Sequence, residues 1–130
     1  MKKILLGLLL SALALGAGEL HWEKDLKIAF EKASKEKKVV MVMVKTPSCP
    51  WCRKMERETL EDDEISKRLN SFIIVKVDRD SVTDKSIPYA KYVPTIYFMT
   101  ADKKILETVT GYFEALDFNS WMDDVEKKVK

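Results

Sequence analysis

The sequence is poor in the residues that build metal sites and disulfide frameworks. Its 130 residues include two cysteines and one histidine, too few for a complete four-ligand zinc site made of Cys and His. Glycine and proline number four each and 46% of the residues are hydrophobic, which excludes collagen, low-complexity fibres and disorder. Neither sign of charge dominates, because 23 basic side chains face 21 acidic ones. Nucleic-acid binding, which usually needs a basic surplus, therefore has no support, and the length indicates one domain.

The first 18 residues have the pattern of a secretory signal peptide. Lys2 and Lys3 precede an uncharged, mostly apolar run over residues 4–18, which ends in small side chains. Its 15 positions are fewer than the roughly 20 that a membrane-spanning helix needs. We therefore predict a signal peptide over 1–18 and a single domain over 19–130, with an uncleaved membrane anchor as the alternative.

Export would place both cysteines in an oxidising compartment, for which we predict the bacterial periplasm. Cleavage would also remove the net charge of +2, since Lys2 and Lys3 supply it and the remaining domain has 21 basic and 21 acidic side chains. A neutral domain is expected to choose partners by apolar contacts more than by long-range steering. We predict a monomer that is not stably inserted in the membrane after cleavage.

Hydrophobic periodicity predicts alternating helices and strands. The predicted helices are residues 20–37, 49–60, 61–69 and 116–129, with a kink between the second and third. The predicted strands are residues 39–44, 72–77, 96–99 and 105–110, with a polar connection over 79–92. A right-handed βαβ crossover makes the first two strands parallel, and the following hairpin adds an antiparallel pair. The prediction is an α/β fold, a three-layer α/β/α sandwich around a four-stranded mixed sheet.

The two cysteines stand three positions apart in Cys49-Pro50-Trp51-Cys52, at a predicted strand-to-helix junction. Free N–H groups and the helix dipole stabilise a thiolate there and in known cases lower a thiol pKa to roughly 3.5–7. A thiolate attacks disulfides, so we predict Cys49 as the nucleophile and the deeper Cys52 as the resolving thiol.

Two other readings of the cysteine pair stay open. A structural disulfide would stabilise little, because so small a loop removes little entropy from the unfolded chain. A metal pair would need more ligands, as in zinc shared across a dimer, or would hold Cu(I) on two thiolates. The redox reading is preferred, and it requires no bound cofactor and no metal.

The order of motifs resembles the thioredoxin fold over residues 20–129. An apolar strand precedes the cysteine pair, Val93-Pro94-Thr95 opens the next strand, and Gly111 precedes the last helix. The resemblance implies that Pro94 is cis, faces the disulfide and acts with Cys49 and Cys52, while the Val93 backbone pairs with a substrate strand. The implied partner groove comprises Pro50, Trp51, Val93, Thr95, Gly111 and Tyr112.

The stretch over residues 55–79 is similar to the thioredoxin-like subgroup that includes the C-terminal domain of the transmembrane reductant carrier DsbD. The 41 residues between Cys52 and Pro94 leave no room for the helical insertion of Dsb-type oxidases. The resemblance implies an exported thiol–disulfide oxidoreductase, more in the manner of a reductase, that receives electrons from a membrane donor and acts on protein thiols and disulfides. A disulfide oxidase or isomerase and a non-catalytic binding module are the alternatives.

The sequence also departs from thioredoxins near the cysteine pair. Met43 stands where thioredoxins carry a buried acid, so the usual proton acceptor for the resolving thiol is missing. Lys45 and Arg53 are candidates to lower a thiol pKa by their positive charge. Glu56 and Glu58 are expected to be surface charges, and Trp51 is expected to be exposed as an apolar contact for a partner.

Overall fold

The computed structural model of the chain describes residues 19–130, so the predicted signal peptide lies outside the described residues. The strands are β1 (Trp22–Glu23), β2 (Val40–Lys45), β3 (Ile73–Asp78), β4 (Thr95–Met99) and β5 (Ile105–Thr110). The helices are α1 (Leu26–Glu36), α2 (Pro50–Lys54), a π-helical segment (Met55–Leu60), α3 (Asp63–Leu69) and α4 (Ala115–Lys128). None of these helices is both long enough and apolar enough to cross a bilayer.

The strands form one mixed sheet in the order β1-β3-β2-β4-β5. Strand β3 is parallel to both β1 and β2, whereas β4 runs antiparallel to β2 and to β5. The α/β architecture with a mixed sheet is as predicted, but the number of strands was wrong: the sheet has five, not four. The four predicted strands are present within one residue of their expected bounds.

The fifth strand arises where a helix was predicted. Trp22 and Glu23 are extended and pair with Ile74 and Val75 of β3, so the helix expected over 20–37 begins only at Leu26. Asp25 caps it, because its carboxylate accepts a hydrogen bond of 2.8 Å from the Ile28 N–H. The spacing of Trp22 and Leu26 fits a helix. However, Asp25 caps the helix between them, and the edge of β3 is free to pair with Trp22, so Trp22 is in a strand and Leu26 begins the helix.

The predicted kink between the second and third helices is confirmed. The π-helical segment ends at Leu60, and Asp62 caps α3, since its carboxylate accepts from the N–H groups of Glu64 and Ile65. The wider π-helical turn over residues 55–60 was not predicted, because no sequence period distinguishes it from an α-helix of that length.

The sheet buries two different faces. Met41 and Met43 of β2 point to the layer that holds both cysteines, the π-helical segment and α4, which we call the disulfide face. Val42 and Val44 point to the layer that holds α1, which we call the α1 face. Alternate residues of one fully buried strand therefore serve two separate cores, as expected of a strand covered on both sides.

Candidate active site

The centre of the candidate site is a disulfide between Cys49 and Cys52, whose Cα atoms are 5.2 Å apart. Cys49 is the N-cap of α2, and its sulfur accepts a hydrogen bond of 3.1 Å from the Cys52 N–H. Pro50 occupies the first helical position, where its missing N–H costs nothing. Cys49 is 6% exposed and Cys52 2%, so Cys52 is the deeper of the two, as predicted.

A cis peptide bond joins Val93 to Pro94, as the family resemblance implied. The Gly111 N–H donates to the Pro94 carbonyl at 2.8 Å, which ties the loop before β4 to the loop after β5. Gly111 has a φ of +91°, a region that favours glycine. Val93 and Tyr112 both pack against the cluster that contains the two cysteines. The fold therefore brings together three of the predicted groove segments, residues 49–52, 93–95 and 111–112.

Four side chains beside the disulfide form a connected cluster, which we call the aromatic wall: Trp51, Lys54, Glu58 and Tyr112. The two ring centroids are 5.6 Å apart, and the Lys54 ammonium lies 5.1 Å from the Trp51 ring and 4.8 Å from the Tyr112 ring. Trp51 is 55% exposed, in agreement with its predicted place on the surface. The indole is therefore held on one side and open to solvent on the other.

The two glutamates expected to be surface charges each have a specific partner. Glu58 accepts a hydrogen bond of 3.1 Å from the Tyr112 hydroxyl and lies 3.8 Å from Lys54. Glu56 lies 3.2 Å from the ammonium of Lys76 on β3. Sequence reasoning missed both ion pairs. The i,i+4 spacing of Lys54 and Glu58 is a signal that could have found the first, whereas nothing local connects Glu56 to a strand twenty residues away.

Met43 occupies the position on the sheet below the cysteine pair. It is fully buried in the cluster of Cys49 and Cys52, and it stands next to Lys76 in the parallel register of β2 and β3. Lys45 follows on the same side of β2 and is partly buried, while Arg53 is exposed on α2. Neither cation forms an ion pair within residues 19–130, and their predicted influence on the thiols stays a prediction.

Thr95 and Thr59 fix the loops around the site. The Thr95 hydroxyl donates to the Tyr92 carbonyl at 2.6 Å, and the fully buried Thr59 hydroxyl donates to the Phe113 carbonyl at 2.5 Å. Thr59 was not singled out from the sequence, because its partner lies 54 residues further along the chain. Within the described range, no group of three or more His, Cys, Asp or Glu side chains is placed to hold a metal ion.

A separate cavity of about 700 Å³ opens on the α1 face, at the side of the sheet away from the disulfide. Phe30 and Val82 contribute apolar lining, and Asp84 and Lys103 stand at its rim 2.8 Å apart. Hydrogen bonds from Lys103 and then from Ser86 lower the pKa of Asp84 from 3.8 to about 2.

Comparisons with known proteins agree with this geometry. The family model Thioredox_DsbH, described as a protein of unknown function (DUF255), matches residues 13–116. Spermatogenesis-associated protein 20 of Mus musculus is 41% identical over 66 residues, which is 50% of this chain but only 8% of that protein. The chain therefore spans only a small part of the length of this relative.

Solved structures show the same fold at low identity. The DsbH oxidoreductase has a TM-score of 0.67 and 19% identity, with 91% of this chain and 92% of that chain covered. The oxidised C-terminal domain of DsbD from Neisseria meningitidis has a TM-score of 0.56 and 17% identity, with 75% and 89% covered. The thioredoxin fold predicted from the motif order is confirmed. With its Cys49–Cys52 pair at the first turn of α2, the chain has the thioredoxin fold and belongs to the Thioredox_DsbH family.

Proposed function

We propose that this protein is an exported protein-disulfide reductase of the periplasm, with Cys49 and Cys52 as its redox-active pair. The observation that carries the proposal is the bonded pair at the start of α2, in which the Cys49 sulfur accepts the Cys52 N–H. A hydrogen bond to sulfur favours its charged form, so the same contact supports Cys49 as a thiolate once the pair is reduced.

The reaction moves two electrons in two exchanges. The Cys49 thiolate attacks one sulfur of a client disulfide, a Cys49–client disulfide forms, and the client's second sulfur leaves as a thiolate. The Cys52 thiol loses its proton and attacks the Cys49 sulfur, which releases the client's first sulfur and closes the Cys49–Cys52 bond. The client leaves as a dithiol, and a donor dithiol must then reduce the protein again.

The roles proposed for the surrounding residues follow from their positions. Val93 and Tyr112 pack against the cluster that contains the pair, and the hydrogen bond from the Gly111 N–H to the Pro94 carbonyl joins their two loops. Pro50 and Thr95 complete the groove in which an extended client segment would lie. The pair itself carries the electrons, so the proposed reaction needs no bound cofactor.

The direction of electron flow and the location are supported by two further observations. The sequence resemblance of residues 55–79 to the subgroup with the DsbD C-terminal domain favours a reductase that takes electrons from a membrane donor. The N-terminal pattern of residues 1–18 favours export. The protein would then act as a monomer on the disulfides of other exported proteins. A disulfide oxidase would use the same pair to accept electrons from client thiols, and an isomerase would take back the electrons that it first donates to a client.

A non-catalytic binding module is the second candidate, and the exposed Trp51 beside Tyr112 is the observation that favours it. An exposed indole next to a second ring is a typical contact surface. Such a module would hold its partners without exchanging disulfides.

Replacement of the resolving thiol distinguishes these candidates. In C52A the second exchange cannot occur, so we expect the reduced variant to accumulate mixed disulfides with proteins of an exported extract, seen as bands that a reductant removes. The matched C49A variant should form none, because it lacks the nucleophile. Complexes that persist in C49A/C52A would contradict the reductase and support the binding module. Redox titration of the wild-type pair then gives the direction, since a potential well above that of glutathione would indicate an oxidase.

A further inference from the structure

The aromatic wall is held together by contacts that converge on Glu58. This carboxylate accepts the Tyr112 hydroxyl at 3.1 Å and faces the Lys54 ammonium at 3.8 Å. Lys54 in turn lies over both rings, at 5.1 Å from Trp51 and 4.8 Å from Tyr112. Glu58 thus contacts Tyr112 and Lys54, the two side chains that pack against the indole.

Each of these contacts is weak alone, because Lys54 is 40% and Glu58 55% exposed. An exposed ion pair contributes about 0–1 kcal/mol and an exposed cation–π contact about 0.5–1 kcal/mol. In a closed cluster, however, a side chain ordered by one contact is already ordered for the next. The cluster therefore restricts the Trp51 and Tyr112 rings more than any single contact would.

A hydrogen bond between Thr59 and Phe113, the residues that follow Glu58 and Tyr112, holds the backbone next to Tyr112. The Thr59 hydroxyl donates to the Phe113 carbonyl at 2.5 Å, directly beside the bond between Glu58 and Tyr112. Two hydrogen bonds therefore join consecutive residues of the π-helical segment, Glu58 and Thr59, to consecutive residues of the loop, Tyr112 and Phe113. The loop after β5 is thereby attached to the same helical segment that starts at the disulfide.

We propose that Glu58 is a positioning residue that keeps the aromatic wall preorganised for protein disulfides. This inference rests on the proposed function. A client protein must lay the chain around its disulfide against Trp51 and Tyr112, whereas a small disulfide needs only to reach the Cys49 sulfur. Rings that are already ordered lose less conformational entropy when the client binds, so loss of Glu58 weakens client binding and leaves the exchange chemistry in place.

The test compares a protein disulfide with a small neutral one. Steady-state reduction of insulin and of hydroxyethyl disulfide is measured with the purified protein and dithiothreitol as the electron donor. For E58A we expect the KM for insulin to rise about three- to tenfold, the range of one lost hydrogen bond, with kcat within about twofold of wild type. The rate with hydroxyethyl disulfide should stay within about twofold, because that substrate does not span the wall.

Two further variants separate positioning from charge and from general stability. Glu61 is exposed at the C-cap of the π-helical segment and forms no ion pair in the described residues, so E61A removes an equal charge and should leave the KM for insulin unchanged. Y112F removes the hydroxyl that donates the hydrogen bond to Glu58. Because E58A and Y112F break the same bond, the double variant should raise the KM by less than the product of the two single effects.

An E58A variant that reduces insulin with the KM of E61A would overturn the inference, and so would independent, multiplicative effects of E58A and Y112F. A wild-type protein that reduces neither insulin nor hydroxyethyl disulfide would instead contradict the proposed function. Thermal unfolding of each variant, with a midpoint far above the assay temperature, ensures that the rates report folded protein.

Discussion

The two faces of the sheet are equally buried but differ in chemistry. The disulfide face gathers sulfur, with Met41, Met43, Met55 and Met122 fully buried in the cluster of the two cysteines. The α1 face gathers mainly branched and small side chains, with Val40, Val42, Val44, Ala29 and Ala33 buried against one another, and Met99 is the one methionine among its buried residues in the described range. Unbranched thioethers adapt their shape to irregular surroundings, whereas valine is restricted to few rotamers and packs in a fixed way.

This difference indicates that the disulfide face serves the redox pair, whereas the α1 face contributes to stability. The disulfide face surrounds a pair whose bond must break and form, and its methionines can adjust to both states. The α1 face holds no cysteine among its buried residues and contains a cavity with a charged rim. We therefore expect substitutions on the disulfide face to change both stability and redox behaviour, and those on the α1 face to change stability alone.

The largest effect is expected at two consecutive residues of β2. Val42 and Met43 are both fully buried and point to opposite faces. We expect V42A to lower the free energy of unfolding by about 2 kcal/mol and M43A by about 2–5 kcal/mol, as measured by urea denaturation, because each leaves a cavity. Only M43A should shift the equilibrium of the cysteine pair with dithiothreitol, by about threefold or more, which is roughly 14 mV.

M43L serves as the control for this pair, since a change of shape at similar volume costs less than about 1.5 kcal/mol. Equal shifts of the dithiothreitol equilibrium in V42A and M43A would show that the redox pair responds to stability in general, and the division between the faces would fail.

A smaller effect is expected at the link between the π-helical segment and the loop after β5. In T59V the partly buried Phe113 carbonyl loses the hydroxyl that donates to it. A fully buried acceptor left without a partner costs about 1–3 kcal/mol, so we expect the free energy of unfolding to fall by about 1 kcal/mol. The matched variant T108V lies on an exposed position of β5 and should change the free energy of unfolding by no more than about 0.5 kcal/mol. Equal denaturation midpoints for the two variants would contradict the importance of this link.

The smallest effect concerns acid stability on the α1 face. The hydrogen bond from Lys103 depresses the pKa of Asp84 to about 2, so the unfolded chain binds its proton first as the pH falls. The stabilisation is complete above the ordinary pKa of 3.8 and is lost as the pH falls toward 2. With allowance for the exposed lysine, we expect a loss of about 1 kcal/mol over that interval.

Urea denaturation between pH 2 and pH 6, a range set by these pKa values, measures this loss. In D84N the corresponding fall should be absent, while D124N, at an exposed carboxylate without an ion pair in residues 19–130, should retain it. A pH dependence that is the same in both variants would place the acid sensitivity elsewhere than on the α1 face.

Much of the fold could be predicted because its signals are local. The buried strands appear as unbroken apolar runs such as Val39 to Val44, and the kink before α3 follows from helix-capping chemistry at Asp62. Strand β1 could not be predicted in the same way. Two residues carry no periodicity, and Trp22 becomes a strand residue only because the edge of β3 is free to pair with it.

The candidate site also has a part that local sequence predicts and a part that it does not. Cys49 and Cys52 are three positions apart, so any helical turn brings their sulfurs together, and the sequence alone determines that pair. Tyr112 meets Glu58 across 54 positions of sequence, and Lys76 meets Glu56 across 20 positions, with α3 between them. Such contacts depend on the path of the loops and the register of the sheet, which no local pattern encodes. The sequence determined the chemistry at the centre of the site, and only the tertiary structure decided which side chains hold its walls in place.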